Sequence, residues 1–248
     1  MIVYSNSCSF GATQGHTIYP EVVANAFSLP LVNKGMNGSC NRRIVRTSLR
    51  DLNELKHKDD VLLLLGLTLV SRTEIWRPDL PPNQNDGHFH TIKFNHNQFN
   101  WSDKGLIDTV IPNVHNYVDT KIKKYYQEWL THYQPEAEIT NLLTDLIMLT
   151  GWCKSNNIPY VIFSNVACLP DDNKVGYESP FVQSLRATIE QDKNIINPWS
   201  FSFGQYALDA GFEPKDKVLY GIHGHPGESA HIMFGNYLVE YIKKTHNL

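Results

Sequence analysis

The sequence predicts a three-layer α/β sandwich built on a mostly parallel sheet of about five strands. Short runs of branched and aromatic residues alternate along the chain with longer segments whose apolar residues recur at helical spacing. The run from Val61 to Leu65 is continuously apolar and ends at Gly66, which is typical of a strand buried on both faces of a parallel sheet. At 42% hydrophobic and 19% charged residues the composition is that of a globular protein, and 248 residues suffice for one large core.

Each element is predicted from local signals, taken in chain order. Apolar runs of strand length predict strands over 2–4, 31–33, 61–65, 159–163 and 195–199. Pro20 marks the first turn of a helix, and helical spacing of apolar residues predicts helices around 42–52 and over 121–133, 136–154, 182–190 and 228–244. Residues 77–116 lack an apolar period, so we expect one domain over 1–248 with an irregular insertion there, acting as a lid or substrate wall.

Charge and apolar patterning exclude several classes of function. The 25 acidic and 22 basic side chains give a net charge of -3, which argues against a dedicated nucleic-acid binder. Every apolar run is much shorter than the roughly 20 residues of a membrane-spanning helix, and the N-terminus lacks the regions of a signal peptide. We therefore expect a cytoplasmic protein whose cysteines are reduced thiols: Cys8, Cys40, Cys153 and Cys168.

Polar loops follow the first three predicted strands. They comprise residues 7–11, 35–41 and 66–74, and a fourth segment, 223–226 with the sequence His-Gly-His-Pro, precedes the last helix. Because ligands of parallel sheets bind outside the carboxyl ends of the strands, we expect these loops to meet in one site.

These loops resemble the motif blocks of the SGNH (GDSL-type) hydrolase family, and the chain is most similar to its elaborated, phage-like members. Ser9 lies on the family's Gly-Asp-Ser-Phe/Leu block, and Gly38 matches the glycine that follows strand two. His225 matches the histidine of Asp-x-x-His-Pro. Thr68 stands where Gly-x-Asn-Asp has asparagine, and Ile222 stands where the catalytic acid is expected. The resemblance implies a flavodoxin-like α/β sheet.

The resemblance also implies a catalytic centre and a reaction. Ser9 is the expected nucleophile and His225 its general base, because an imidazole is suited to taking a hydroxyl proton near neutral pH. Backbone N–H groups of Ser9 and Gly38 are the expected oxyanion donors, with Thr68 or Asn41 as a third. The predicted function is a serine esterase or deacylase acting on a small ester or an O-acetylated carbohydrate, with acyl transfer as related chemistry and no cofactor.

Three alternatives to this assignment are open. Without the asparagine and the acid, a catalytically retired domain that binds a glycan, a nucleotide or a protein partner is the second reading. Asp216 is the nearest upstream carboxylate that could replace the acid. Cys8 is a rival nucleophile if the motif is shifted by one residue, since a thiolate attacks more strongly than a hydroxyl.

Four further residues are candidates for substrate contact: Arg72, Glu74, Asn41 and His223. Arg72 and Glu74 follow the central strand, where they form either an ordinary ion pair or, through the arginine, a clamp for a substrate carboxylate or phosphate.

Two other groups of residues receive structural interpretations. An arginine series on the second helix is read as a solvated face, with an anionic partner as the alternative: Arg42, Arg43, Arg46 and Arg50. A loose group in the insertion fits no compact zinc motif, so no metal is expected: Asp86, His88, His90 and His96.

Overall fold

The computed structural model describes residues 1–55, 60–70, 72–76, 89–92, 135–166, 179–212 and 225–248. The strands are β1 (Ile2–Ser7), β2 (Leu31–Asn33), β3 (Val61–Leu67), β4 (Thr73–Trp76), β5 (Phe89–Ile92) and β6 (Tyr160–Ser164). The helices are α1 (Tyr19–Ala26), α2 (Asn41–Glu54), α3 (Pro135–Ser155), α4 (Pro180–Glu190), α5 (Phe203–Asp209) and α6 (Glu228–His246). None of these helices combines the length and the apolar character needed to span a bilayer.

Four of the strands form a parallel sheet in the order β2-β1-β3-β6. In this register Ser7 lies opposite Gly66, and Leu67 lies opposite Ser164. The carboxyl ends of β1, β3 and β6 therefore meet at one edge. The predicted parallel α/β sheet is confirmed, and β4 pairs with β5 in a separate antiparallel ribbon.

Alternating side chains of β3 pack into two hydrophobic cores, because successive side chains of a strand point to opposite faces of the sheet. Leu63 and Leu65 pack on the side of α2, α3 and α4, whereas Leu62 and Leu64 pack on the side of α1, α5 and α6. Every residue of β3 is buried. Helices thus cover both faces of the sheet and give the predicted three layers.

The predicted fifth strand is wrong beyond a single residue pair. Ile195 forms one isolated parallel bridge with Ile162, supported by a 2.8 Å hydrogen bond from the Ile196 N–H to the Ile162 carbonyl. The chain then turns, because the Asn197 side chain accepts the Trp199 N–H at 2.9 Å and Pro198, between them, has no N–H to continue a ladder.

Other elements differ from the prediction or lie outside the described residues. α5 was not predicted, and β5 lies inside the segment expected to be irregular. β1 continues through three polar residues to Ser7. The helix predicted over 121–133 and the rest of the 77–116 insertion lie outside the described residues.

Candidate active site

The turn after β1 carries the serine that the sequence singles out. The Gly11 N–H donates to the Cys8 carbonyl at 3.1 Å and closes the turn, which places Ser9 at its first central position. The Gln14 side-chain amide donates to the Ser9 carbonyl and braces the turn from outside. Ser9 is only 5% exposed, so its hydroxyl faces the protein rather than bulk water.

The residue that meets this hydroxyl is His225. Its Nε2 lies 2.6 Å from Ser9 Oγ, although 216 residues separate the two in sequence. The imidazole is 7% exposed, and its ring centroid lies 5.1 Å from that of Phe10. Phe10 in turn packs edge-on against Phe203 at the start of α5. Packing therefore restrains the imidazole in hydrogen-bonding contact with Ser9.

Hydrogen bonds attach the loop after β2 to the Ser9 turn. The Asn33 side-chain amide donates to the Gly11 carbonyl at 2.8 Å, and the Met36 N–H donates to the Ser7 carbonyl at 3.0 Å. Gly35 permits this approach, since a Cβ there would lie 2.7 Å from the Gly11 carbonyl oxygen. These contacts thus hold the loops after β1 and β2 together at the carboxyl edge of the sheet.

Gly38 lies in this loop with a φ of 72°, a conformation that glycine adopts without strain. Gly38 and Ser9 are both buried, yet within the described part of the chain neither backbone N–H donates to any group. Buried N–H groups are almost always paired in proteins. Both donors therefore lack an acceptor within the described residues.

Asn41 joins the loop after β3 to the beginning of α2. Its Nδ2 donates to the Thr68 carbonyl at 2.7 Å, and its Oδ1 accepts the Thr68 N–H at 2.7 Å. Both residues are buried. Asn41 thus holds the Thr68 peptide, whereas the buried Thr68 hydroxyl has no hydrogen-bond partner among the described residues.

Glu74 pairs with Arg46 of α2 and not with Arg72. Two hydrogen bonds of 2.9 and 2.7 Å join the Arg46 guanidinium to the Glu74 carboxylate, whose side chain is 3% exposed. Among the described residues Arg72 makes one hydrogen bond, from Nη1 to the Ser39 carbonyl at 3.3 Å. Its Nε is buried without a partner in the described part of the chain.

The arginine series on α2 is not a solvated face throughout. Arg43 is buried, and its Nη1 donates to the Ser39 hydroxyl at 3.2 Å. Arg46 is engaged by Glu74 as described above. The prediction is wrong for these two residues because the loop preceding α2 and the strand β4 both fold back over this face of the helix.

Cys8 contributes its side chain to the hydrophobic core on the α1 and α6 side. Its sulfur accepts a hydrogen bond of 3.8 Å from the side-chain amide of Asn165, which follows β6. The imidazole of His225 contacts the neighbouring serine instead. The imidazole of His225 is thus in hydrogen-bonding contact with Ser9, whereas the contact of the Cys8 sulfur is with Asn165.

Sequence reasoning missed His231, a second histidine close to His225. It is fully buried on α6, and its Nδ1 accepts the Tyr19 N–H at 3.4 Å. Burial, together with the neighbouring charges of His16 and His225, lowers the pKa of His231 to about 3. The spacing of apolar residues on α6 does not tell a buried histidine from a surface histidine. The sequence therefore carries no local signal for the burial of His231.

Several predicted residues lie outside the described part of the chain: His223, Asp216, Ile222, Asp86, His88 and His96. Among the residues that are described, no group of three or more His, Cys, Asp or Glu side chains is arranged to hold a metal ion.

No protein-family model matches the sequence, and no curated protein matches it. Solved structures do match over nearly the whole chain. A psychrotrophic esterase, EstA from Pseudoalteromonas sp., inhibited by monoethylphosphonate, is 12% identical with a TM-score of 0.51, covering 100% of this chain and 99% of its own. A lipolytic protein of the G-D-S-L family from Desulfitobacterium hafniense is 12% identical with a TM-score of 0.44, covering 96% and 98%.

The esterase EstA and this chain are similar in fold across their full lengths. At 12% identity this similarity shows the fold alone. The parallel sheet, the helices on both faces and the serine turn after β1 are features that the sequence led us to expect. The chain therefore has the fold of the SGNH (GDSL-type) hydrolases.

Proposed function

We propose that this protein is a serine hydrolase that cleaves small carboxylic esters or O-acetyl groups. The observation that carries the proposal is the 2.6 Å contact between Ser9 Oγ and His225 Nε2 at the carboxyl edge of the sheet. A serine hydroxyl becomes an effective nucleophile when a base in hydrogen-bonding contact takes its proton. Both residues are nearly buried, which strengthens electrostatic interactions between them.

In the first half of the reaction Ser9 Oγ attacks the ester carbonyl carbon while its proton passes to His225 Nε2. The carbonyl π electrons move to oxygen and give a tetrahedral oxyanion. As this intermediate collapses, the bond to the leaving alcohol breaks, and the imidazolium returns its proton to the alcohol oxygen. In the second half water repeats the sequence on the acyl-serine and releases the carboxylic acid.

The backbone N–H groups of Ser9 and Gly38 are the proposed donors to the oxyanion. Support comes from their burial and from the lack of any other acceptor for them among the described residues. The Thr68 hydroxyl is the proposed third donor, because it is buried and unpaired within the same set of residues. Donors fixed before the reaction stabilise developing charge without a cost of reorganisation.

A fluorophosphonate probe tests the nucleophile directly, because it reacts covalently with an activated serine. The esterase EstA, which has a similar fold, is inhibited by monoethylphosphonate, so a reagent of this class is a natural choice. We expect labelling of the full chain that disappears in Ser9→Ala and in His225→Ala. Cys8→Ala is the matched control and should label normally. Labelling that persists in Ser9→Ala, or disappears only in Cys8→Ala, contradicts the proposal.

A catalytically retired binding domain is the second candidate, favoured by Thr68 at the position of the family's asparagine and by Ile222 at the position of its acid. The same labelling experiment separates the two candidates. Folded wild-type protein that neither labels nor hydrolyses p-nitrophenyl acetate supports the binding domain.

A further inference from the structure

Ser39, the residue directly after Gly38, is held at three of its polar atoms. Its N–H donates to the Met36 carbonyl at 3.1 Å. Its hydroxyl accepts a hydrogen bond of 3.2 Å from Nη1 of Arg43, and its carbonyl accepts one of 3.3 Å from Nη1 of Arg72. Ser39 is fully buried, so bulk water does not compete for these contacts. Two guanidinium groups therefore converge on one residue of the loop after β2.

The arginine that reaches Ser39 from farther along the chain is Arg72, 33 residues away in the loop after β3. Its position is not explained by an ion pair within the described residues. Glu74, close to it in sequence, is engaged by Arg46 at both carboxylate oxygens. In that part of the chain, the Ser39 carbonyl is the hydrogen-bond acceptor that the Arg72 guanidinium meets. Arg72 therefore attaches the loop after β3 to the loop after β2.

Gly38 lies at the centre of the turn that Ser39 closes. The 3.1 Å hydrogen bond from Ser39 to Met36 encloses Asn37 and Gly38 as the two central residues, and φ at Gly38 is 72°. Glycine is favoured at such a position, where it also gives the backbone rotational freedom. The direction of the Gly38 N–H therefore depends on how the two ends of the turn are anchored. Met36 is anchored by its 3.0 Å hydrogen bond to the Ser7 carbonyl, and Ser39 by the two arginines.

We propose that Arg72 is a positioning residue for the oxyanion donor Gly38. Through the Ser39 carbonyl it fixes the turn from which Gly38 presents its N–H, and Arg43 makes the corresponding contact at the Ser39 hydroxyl. A donor stabilises an oxyanion best when its direction is set before the reaction. The inference rests on the proposed function, because the Gly38 N–H has this role only if an oxyanion forms beside Ser9. It assigns the Arg72 guanidinium to the protein backbone and not to a substrate carboxylate or phosphate.

A comparison of p-nitrophenyl acetate with its thiono analogue, in which C=S replaces C=O, tests this role in the full chain. Sulfur accepts hydrogen bonds weakly, so oxyanion donors accelerate attack on the thiono ester much less than attack on the ester. We expect Arg72→Gln to lower kcat/KM for p-nitrophenyl acetate by about tenfold or more, up to the roughly 10²–10³ that loss of a whole donor costs. The value for the thiono ester should change much less, so the ratio of the two values falls.

Three further variants separate positioning from a general effect on charge or folding. Arg72→Lys keeps a donor for the Ser39 carbonyl and should recover part of the ratio. Ser39→Ala removes the acceptor of Arg43 in this loop and should lower the ratio in the same direction as Arg72→Gln. Arg42→Gln is the matched control, since it removes the same charge from an exposed position in the first turn of α2, and it should leave both rates unchanged.

Circular dichroism melts show which variants are folded and enter the comparison. If folded Arg72→Gln loses activity equally on both esters, or if its ratio and that of Ser39→Ala equal the wild-type ratio, the inference is overturned while the proposed function stands. If hydrolysis of p-nitrophenyl acetate is undetectable in wild type or survives in Ser9→Ala, the proposed function fails and the inference fails with it.

Discussion

The Nε2 atom of His225 lies 2.6 Å from the Oγ atom of Ser9, and contacts remote from either atom maintain this distance. His225 lies three residues before Glu228, the first residue of α6. Gly235 of this helix packs against α1 so closely that a Cβ there would lie 2.5 Å from the Val22 side chain. The Glu228 carboxylate accepts the Thr17 N–H at 3.1 Å and fixes the start of α6 to the segment before α1. Helix packing therefore positions the histidine over the serine turn.

If Ser9 and His225 act as one unit, removing either should cost nearly as much as removing both. We expect Ser9→Ala and His225→Ala each to lower kcat for p-nitrophenyl acetate by about 10⁴–10⁶, as the loss of one member of a nucleophile–base unit does. The double variant should show no further loss, because neither residue works without the other. Steady-state kinetics on the three proteins measure this. Losses that multiply in the double variant would show that the two residues act independently.

Asn41 should contribute strongly to stability through the Thr68 peptide. Asn41→Ala leaves a buried N–H and a buried carbonyl without partners, and each costs about 1–3 kcal/mol. We expect a loss of about 2–4 kcal/mol in the free energy of unfolding, measured by urea titration. Asn37→Ala, at an exposed position of the loop that precedes α2, should stay within about 0.5 kcal/mol of wild type. Equal effects at the two positions would contradict this role for Asn41.

Gly35 and Gly151 should respond oppositely to alanine. A Cβ on Gly35 meets the backbone of Gly11 and Ala12 at 2.7 to 2.9 Å, so we expect Gly35→Ala to destabilise the protein by about 1–3 kcal/mol and to impair ester hydrolysis by moving the serine turn. Gly151 has open space around it in exposed helix. Gly151→Ala should stabilise by about 0.5–1 kcal/mol and leave kinetics unchanged. Thermal melts and kinetics on both variants provide the comparison.

Local sequence patterns were sufficient where burial follows from apolar character alone. Val61–Leu67 is a continuous apolar strand and was predicted within two residues of its end. The polar end of β1 was not predicted, because its burial depends on distant partners. Asn6 Nδ2 donates to the Ile44 carbonyl, Thr47 Oγ1 and Ser48 Oγ of α2 at 2.8 to 3.1 Å. Such contacts are invisible to any local window.

The sequence likewise predicted only part of the candidate site. The order of the motif blocks was enough to pair Ser9 with His225 across the chain. Glu74 is close to Arg72 in sequence, which suggested an ion pair between them. The partner of Glu74 is instead Arg46 of α2. The pairing of long side chains depends on where helices pack against strands, and residue spacing within one segment does not determine it.

His231 should make the fold sensitive to acid. Its pKa is about 3 in the native protein and near 6.5 in the unfolded chain. Below pH 6.5 the imidazole therefore takes up a proton in the unfolded chain but stays neutral in the native protein. Stability consequently falls as the pH is lowered toward 3. The loss is about 1.4 kcal/mol per pH unit within this window, and above it His231 contributes no pH dependence.

The variant His231→Asn isolates this contribution, because asparagine retains an acceptor for the Tyr19 N–H but does not titrate. Urea unfolding at pH 7.5 and pH 5.0 gives the change in stability for each protein. Wild type should lose about 2 kcal/mol more than the variant between these two pH values. Parallel losses in the two proteins would show that His231 takes up its proton in the native state as readily as in the unfolded chain, so that its burial beside Tyr19 and Phe203 imposes no cost on the imidazolium.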